Sequence, residues 1–298
     1  MSAPRFGRVV TAMVTPFDER GEVDFDVARD LARFLVAHGS DALVVAGSTG
    51  EGSSLDDGEK LDLFACVAQA VSAPVIAGTS FANTRHSVTL TTQVASRGVA
   101  GVLATTPAYA RPSQAGIAAH LGAVAEATNL PVMLYDIPSR TGRKIHSTTT
   151  IALAQKHANI VALKDASGDV AMAAHTKFIL GDAFDLYSGD DAMTLPFVAV
   201  GAAGVVSVAA HWAGVEFAKL VAAALASDPR RAQQINESLR PSVEFESTEN
   251  YPNPVPTKAM MRHLGFAVGE CRLPHVGGDD ALDARAHDVL AQLRSARD

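Results

Sequence analysis

Short apolar runs alternate along this chain with longer stretches in which apolar residues recur every three or four positions. A continuous apolar run bounded by turn residues is typical of a strand buried on both faces, and the longer period is typical of an amphipathic helix. The pattern predicts eight strands: Val9–Val14, Ala42–Ala46, Pro74–Gly78, Gly101–Thr105, Pro131–Tyr135, Ile160–Lys164, Phe184–Ser188 and Gly204–Val208. The helices predicted between them include Asp26–His38, Asp57–Val71, Ser113–Ala127 and Thr148–His157.

The strand–helix units follow one another without a break that would mark a domain boundary. This repeat favours an α/β fold of the (β/α)8 TIM-barrel type over a doubly wound sheet. From about Asp228 the strand signal stops, so we expect residues 1–227 to form a catalytic barrel and residues 228–298 a C-terminal helical region with a helix at Thr257–Leu264. Chemistry in such barrels lies where strands end, so the residues just after each strand are the candidates.

Composition and charge argue against nucleic acid, membranes and metal ions as binding partners. A net charge of -7 without a Lys/Arg cluster argues against a nucleic-acid partner. Glycines interrupt the longest apolar run, Phe197–Ala210, and the first residues lack the apolar core of a signal peptide, so we expect a cytoplasmic protein with no membrane contact. Cys66 and Cys271 form no motif, and the ten histidines are scattered singly, so no metal site is expected. His211, after the eighth strand, is interpreted as structural.

The stretch Asn159–Asp169 holds the strongest candidate for chemistry. Its apolar strand ends in Lys164, and the alternation of side chains along a strand predicts that Ile160, Ala162 and Lys164 share one face. Burial disfavours an ammonium and lowers the pKa of a lysine, and the free amine can then condense with a ketone to form a Schiff base. From this stretch alone, a lysine that reaches water or pairs with Asp165 stays equally open.

Other strand ends also carry polar groups. The loop Gly47–Gly52 places Ser48 and Thr49 among glycines, where free backbone N–H groups can hold a carboxylate or phosphate, although the lysine of a nucleotide-binding loop is lacking. Tyr135 ends the fifth strand and could relay protons, and Arg140 in the next loop could clamp a carboxylate. A core ring for Tyr135 and a surface ion pair for Arg140 are the alternatives.

Taken together, these loops resemble the dihydrodipicolinate synthase / N-acetylneuraminate lyase family of pyruvate-dependent class I aldolases. The resemblance covers essentially the whole chain. The segments that carry it are Thr11–Phe17, Gly47–Glu51, Tyr135–Pro138, Lys164–Gly168, Asn253–Lys258 and Leu273–Pro274. It implies pyruvate and a small aldehyde as partners and a covalent Schiff base on the protein, with no cofactor.

The resemblance also implies roles around pyruvate. Lys164 would form the Schiff base, and Ser48 and Thr49 would hold the pyruvate carboxylate. The backbone at Gly189 and Val206 would line the pocket. Ser48 replaces the threonine that is usual in the synthases, which keeps the hydroxyl and loses a methyl group.

The resemblance implies a proton relay and an assembly as well. Tyr135 would exchange protons with the carbinolamine and would be linked through Thr49 to Tyr109, which relatives insert from a neighbouring subunit. This implies at least a dimer and, from the family, a homotetramer. With Arg140, this chain resembles the synthase branch of the family. In that branch, an arginine holds the carboxylate of L-aspartate 4-semialdehyde in the diaminopimelate and lysine pathway.

Two other functions stay open. One is another pyruvate aldolase or keto-acid dehydratase of the same family that acts on a sugar acid or another aldehyde, which Arg140 and Tyr109 argue against. The other is a non-catalytic pyruvate-binding homologue, which would not need the relay of Thr49, Tyr109 and Tyr135.

A regulatory site of relatives is altered here. The positions that align with the lysine-inhibition site carry Asp57, Lys60, Ala82, His86 and Ala108. Where lysine-sensitive relatives carry an amide, a carboxylate and a phenol, this chain carries Ala82, His86 and Ala108. In many relatives that phenol also stacks across the dimer interface. We therefore expect that L-lysine does not inhibit this protein; a different effector at this place stays open.

Overall fold

A computed structural model describes residues 3–295 of the 298-residue chain. Eight parallel strands form a closed barrel in which each strand pairs with the next in chain order and the eighth pairs with the first. The strands are β1 Val9–Ala12, β2 Ala42–Val45, β3 Val75–Gly78, β4 Gly101–Thr105, β5 Val132–Asp136, β6 Ile160–Asp165, β7 Asp185–Ser188 and β8 Gly204–Ser207. The predicted (β/α)8 barrel is confirmed.

Helices connect the strands and cover the outside of the barrel. They are α1 Phe25–Ala37, α2 Asp57–Ala70, α3 Thr84–Val94, α4 Gln114–Glu126, α5 Pro138–Thr141, α6 Ser147–Lys156, α7 Val170–Leu180, α8 Thr194–Ala199 and α9 Ala210–Leu225. Short polar side chains fix where several of them begin. At α2, Asp56 accepts the Glu59 N–H and the Glu59 carboxylate accepts the Asp56 N–H, so two otherwise free N–H groups are satisfied.

The first strand is shorter than its apolar run predicts. The run continues through Val14, but β1 ends at Ala12, and the Val14 N–H donates to the imidazole of His211 rather than to a strand. A side chain from another part of the chain thus ends the strand, which the local pattern does not reveal.

The start of β6 departs from the predicted alternation. Val132 pairs with Ile160 and Met133 with Ala162, so Val161 is an extra residue that forms a bulge. Ile160 consequently packs between the strands and helices, whereas Ala162 lies inside the barrel. The prediction that Ile160 shares the face of Lys164 is wrong, because the bulge shifts the alternation by one residue.

The barrel interior is filled by side chains from alternate strand positions. Its buried apolar members include Val10, Ala12, Val44, Ile76, Leu103, Met133, Ala162 and Val206. A packed interior of this kind leaves space for substrate only at the ends of the strands.

The last part of the chain is helical, as predicted. It forms α10 Pro229–Phe245, α11 Val255–His263 and α12 Asp280–Ser295, and α11 includes most of the predicted helix Thr257–Leu264. These helices share one buried cluster with α9 and with Val9 and Val205 of the barrel. The proposed division of the chain at residue 228 stays a prediction. None of the helices within residues 3–295 is long and apolar enough to cross a membrane.

Candidate active site

Lys164 lies at the C-terminal end of β6 with 5% of its surface exposed. Its Cα pairs with that of Tyr135 on β5, and its ammonium nitrogen lies 4.2 Å from the centroid of the Tyr135 ring. Across residues 3–295 Lys164 forms no ion pair; Asp165 instead accepts the Ser167 N–H at 2.8 Å. Of the alternatives left open by the sequence, the pairing of Lys164 with Asp165 is therefore not observed.

One further predicted residue lies near this lysine. A Cβ atom at Gly189 would come within 2.9 Å of Lys164 Cγ and 3.0 Å of Ala166 Cβ, so a larger residue would displace the lysine. The Gly189 N–H donates to the Asp165 carbonyl at 2.7 Å, which ties the end of β7 to β6. Val206 on β8 is buried in the barrel interior.

The loop after β2 carries Ser48 and Thr49. Thr49 is buried, and its hydroxyl accepts a hydrogen bond of 2.9 Å from the side-chain amide of Asn253. Ser48 is partly exposed and lines a cavity of about 710 Å³. The loop backbone passes close to Ala46, because a Cβ at Gly52 would lie only 2.1 Å from the Ala46 carbonyl oxygen.

Glu51 anchors this loop to the C-terminal helices. Its carboxylate pairs with the Lys258 ammonium at 2.8 Å, and both side chains are almost completely buried. The same carboxylate accepts the Arg272 N–H at 2.8 Å. The Lys258 ammonium lies 4.0 Å from the centroid of the Phe17 ring, and burial lowers its pKa while the Glu51 charge raises it. Neither Glu51 nor Lys258 was predicted as a site residue, although both lie in the segments that carry the family resemblance.

Arg140 lies in the short helix α5 and lines the same cavity as Ser48. One guanidinium nitrogen donates to the Asn253 carbonyl at 3.1 Å. Arg140 is absent from the ion pairs of the described chain, so the surface ion pair considered from the sequence is not observed.

Tyr109 lies apart from the buried predicted residues within a single chain. Its side chain is 97% exposed, and its φ of +66° lies in a region that non-glycine residues rarely adopt. Within one chain, it therefore does not reach Thr49 or Tyr135.

The residues aligned with the regulatory site line the cavity of about 710 Å³ together with Ser48 and Arg140. The Lys60 ammonium lies 3.5 Å from an Asp57 carboxylate oxygen and 4.2 Å from the centroid of the Phe81 ring. The Asp57 carboxylate also bonds the His86 imidazole at 2.7 Å. Burial lowers the pKa of Lys60, and the Asp57 charge opposes this effect.

His211 is structural, as expected. It is completely buried, its Nδ1 donates to the Val208 carbonyl at 2.7 Å, and its Nε2 accepts the Val14 N–H at 3.1 Å. Both ring nitrogens are used when the ring is neutral, and burial lowers its pKa to about 4.

The burial of two carboxyl groups beside Tyr135 and Lys164 was not predicted from the sequence. Asp136 and Asp165 are register partners at the ends of β5 and β6. Burial raises the pKa of both, that of Asp136 to about 7. Asp136 accepts the Ile145 N–H from the segment between α5 and α6, and Asp165 accepts the Ser167 N–H from the loop after β6. These bonds fix the segment after α5 and the loop that follows Lys164. No group of three or more His, Cys, Asp or Glu residues between positions 3 and 295 is arranged to hold a metal ion.

The chain matches the model of the Dihydrodipicolinate synthetase family over residues 5–293. It belongs to this family. A 4-hydroxy-tetrahydrodipicolinate synthase of Synechococcus elongatus is 46% identical over 291 residues, which cover 97% of this chain and 96% of the relative.

Solved structures of dihydrodipicolinate synthases are also similar to this chain. Dihydrodipicolinate synthase from Cyanidioschyzon merolae with lysine bound has a TM-score of 0.95 and 40% identity, covering 98% of this chain and 99% of that one. A dihydrodipicolinate synthase from Bacillus anthracis has a TM-score of 0.92 and 40% identity, covering 96% and 98%. The resemblance inferred from the sequence motifs is confirmed at the level of the family.

Proposed function

We propose that this chain is a 4-hydroxy-tetrahydrodipicolinate synthase that condenses pyruvate with L-aspartate 4-semialdehyde. The observation that carries the proposal is the buried Lys164 at the end of β6, with its ammonium 4.2 Å from the ring centroid of Tyr135, in a chain of this family. A buried lysine amine beside a phenol is suited to form and hydrolyse a Schiff base.

The first step joins pyruvate to the protein. The Lys164 amine attacks the pyruvate ketone, and the carbinolamine loses water to give an iminium ion. Protons must reach the departing oxygen and leave the nitrogen, and the phenol of Tyr135 is the donor and acceptor that we assign to these transfers. The hydroxyls of Ser48 and Thr49 would bind the pyruvate carboxylate. Because Lys164 supplies the electrophilic iminium, the reaction needs no cofactor.

The second step forms the carbon–carbon bond. Loss of a proton from the pyruvate methyl group gives an enamine, whose carbon attacks the aldehyde of the second substrate. A guanidinium matches the carboxylate of that substrate, and we assign this contact to Arg140, which lines the cavity next to the loop after β2. The amine of the condensed product can then attack the imine carbon, which closes a six-membered ring and releases Lys164.

Subunit contact is part of the proposal. An aromatic side chain exposed as fully as Tyr109 is suited to an interface between subunits. We assign Tyr109 to the relay of a neighbouring subunit in a homotetramer of two dimers, and the protein to the cytoplasm.

Borohydride trapping tests the covalent step. Treatment with pyruvate and borohydride should attach a reduced pyruvyl group to Lys164, as shown by peptide mapping. Lys164→Arg should abolish the label, because a guanidinium stays protonated and forms no imine. A folded wild-type protein without label, or with label at another residue, would contradict the assignment.

A substrate panel tests the second substrate. Wild-type protein with pyruvate should turn over L-aspartate 4-semialdehyde far faster than it cleaves or forms sugar acids. Preference for a sugar acid would instead support another aldolase or dehydratase of the family. Binding of pyruvate without turnover of any substrate would support a non-catalytic homologue.

A further inference from the structure

Asn253 connects two parts of the proposed site that are far apart in the sequence. It lies just before α11 and is 9% exposed. Its side-chain amide nitrogen donates to the Thr49 hydroxyl at 2.9 Å across 204 residues of sequence. Its backbone carbonyl accepts from Arg140 at 3.1 Å across 113 residues.

The backbone of Asn253 is itself fixed. Its N–H donates to the Ser247 hydroxyl at 3.2 Å, in the loop between α10 and α11. The side-chain oxygen of Asn253 is buried and lacks a hydrogen-bond partner among the described residues. The bond to Thr49 is therefore the hydrogen bond that orients this amide.

The direction of that bond has a chemical consequence. A hydroxyl has one hydrogen to donate and two lone pairs that accept. Because the amide N–H of Asn253 donates to Thr49, one lone pair of the Thr49 oxygen is used and its hydrogen remains free for another acceptor. In the proposed function, that acceptor would be a substrate carboxylate or the oxygen of Tyr135.

We propose that Asn253 is a positioning residue that makes the Thr49 hydroxyl a hydrogen-bond donor toward the substrate and the Tyr135 relay. Its backbone carbonyl at the same time holds Arg140 in the cavity. This inference rests on the proposed function, and it assigns the C-terminal helical region a direct part in the geometry of the barrel site.

The decisive variant is Asn253→Asp, which has nearly the same shape but presents only acceptors when ionised. Thr49 must then turn its hydrogen toward the new carboxylate. We expect kcat at pH 8 to fall about 10²-fold, the lower end of the range for a disturbed proton transfer. Below the pKa of the new carboxyl, which burial raises, its proton can again be donated to Thr49. The ratio of variant to wild-type kcat should therefore rise as the pH falls.

Asn253→Ala is the matched control. It removes the donor without adding an acceptor, so kcat should fall less than in Asn253→Asp at pH 8, and its ratio to wild type should not change with pH. Both variants keep the backbone carbonyl, so the KM for the semialdehyde should stay within about 3-fold of wild type. A merely structural role would raise that KM and lower kcat together.

A double-variant comparison tests the inference independently of the Asp variant. If Asn253 acts through Thr49, adding Asn253→Ala to Thr49→Val should cost no further kcat. An additive loss would overturn the inference. The inference would also be overturned if the kcat of Asn253→Asp at pH 8 equalled or exceeded that of Asn253→Ala. The same holds if the ratio of its kcat to that of the wild type were independent of pH.

Wild-type controls separate this inference from the proposed function. If the wild type neither forms the borohydride-trapped adduct nor turns over the semialdehyde, the proposed function fails. If the wild type does both and the variants behave as in the overturning outcomes, only the role of Asn253 fails.

Discussion

Lys164 and Tyr135 lie on neighbouring strands, and their side chains meet at the end of the barrel. The face of an aromatic ring attracts a cation, so Tyr135 can keep a buried ammonium in place without a carboxylate partner. A lysine held in this way is not tied to a counter-ion. In our proposal, Tyr135 thus acts on Lys164 through its ring as well as through its hydroxyl.

Tyr135→Phe separates the ring from its hydroxyl. The ring contact with Lys164 remains, whereas the proton carrier is lost, so kcat should fall by about 10²–10⁴-fold while the fold persists. Steady-state kinetics and circular dichroism measure the two effects. Unchanged kcat in this variant would show that another group moves the protons.

Arg140→Ala should raise the KM for the semialdehyde far more than that for pyruvate, since in our proposal only the semialdehyde carboxylate meets this guanidinium. Arg143→Ala is the matched control, because Arg143 lies three residues away, is exposed and does not line the cavity. It should leave both KM values near those of the wild type. An equal rise for both substrates in Arg140→Ala would refute the assignment.

At the scale of elements, the loop after β2 depends on the helices that follow the barrel. Glu51 in the loop pairs with Lys258 in α11, and Asn253 just before α11 bonds Thr49 in the same loop. A buried charge is tolerated only when its partner is in place. The C-terminal helices therefore hold the loop that carries Ser48 and Thr49.

Glu51→Gln should lower the free energy of unfolding by about 3–5 kcal/mol, because it leaves the Lys258 charge buried without its partner. Urea unfolding followed by circular dichroism measures the change. Glu244→Gln is the control, since Glu244 pairs with Arg240 on the surface and such pairs contribute about 0–1 kcal/mol. Equal losses in the two variants would contradict the role of the buried pair.

At the scale of the whole molecule, one chain leaves the proposed site without Tyr109. The tyrosine projects into solvent, while Thr49 and Tyr135 are buried. Either the relay lacks this residue or a second subunit provides it.

Mixing two inactive variants distinguishes these cases. Tyr109→Ala and Lys164→Arg should each be nearly inactive alone. After joint refolding, a site that contains the Lys164 of one chain and the Tyr109 of the other is complete, so activity should return. Separately refolded and then mixed samples are the control. An active wild-type monomer in sedimentation experiments, or failure of co-refolded variants to regain activity, would exclude the shared site.

We also expect that L-lysine does not inhibit this protein. The relative from Cyanidioschyzon merolae was solved with lysine bound. Here the buried Lys60 already places an ammonium beside Asp57 and the Phe81 ring, so a second cation would be repelled and would find its acceptors occupied. Allosteric coupling is typically only about 1–3 kcal/mol, so the loss of a few contacts removes it. Initial rates at subsaturating pyruvate test this, and inhibition by sub-millimolar lysine would contradict it.

The sequence by itself determined the fold, the family and the candidate lysine. Apolar runs separated by helical periods are local properties, and eight of them in succession have few ways to bury both faces of every strand. The lysine at the end of one such run, Lys164, and the arginine after another, Arg140, could be predicted as candidates because a barrel brings the C-terminal ends of all its strands to one side.

Contacts between distant segments were decided only by the tertiary structure. The bulge at Val161, the Glu51–Lys258 pair and the bonds of Asn253 all depend on how closely segments far apart in sequence approach each other. Periodicity records which face a residue presents, but not which partner it meets there. The sequence predicted Thr49 as a site residue, whereas the direction of its hydrogen bond depends on Asn253, which lies 204 residues further along the chain.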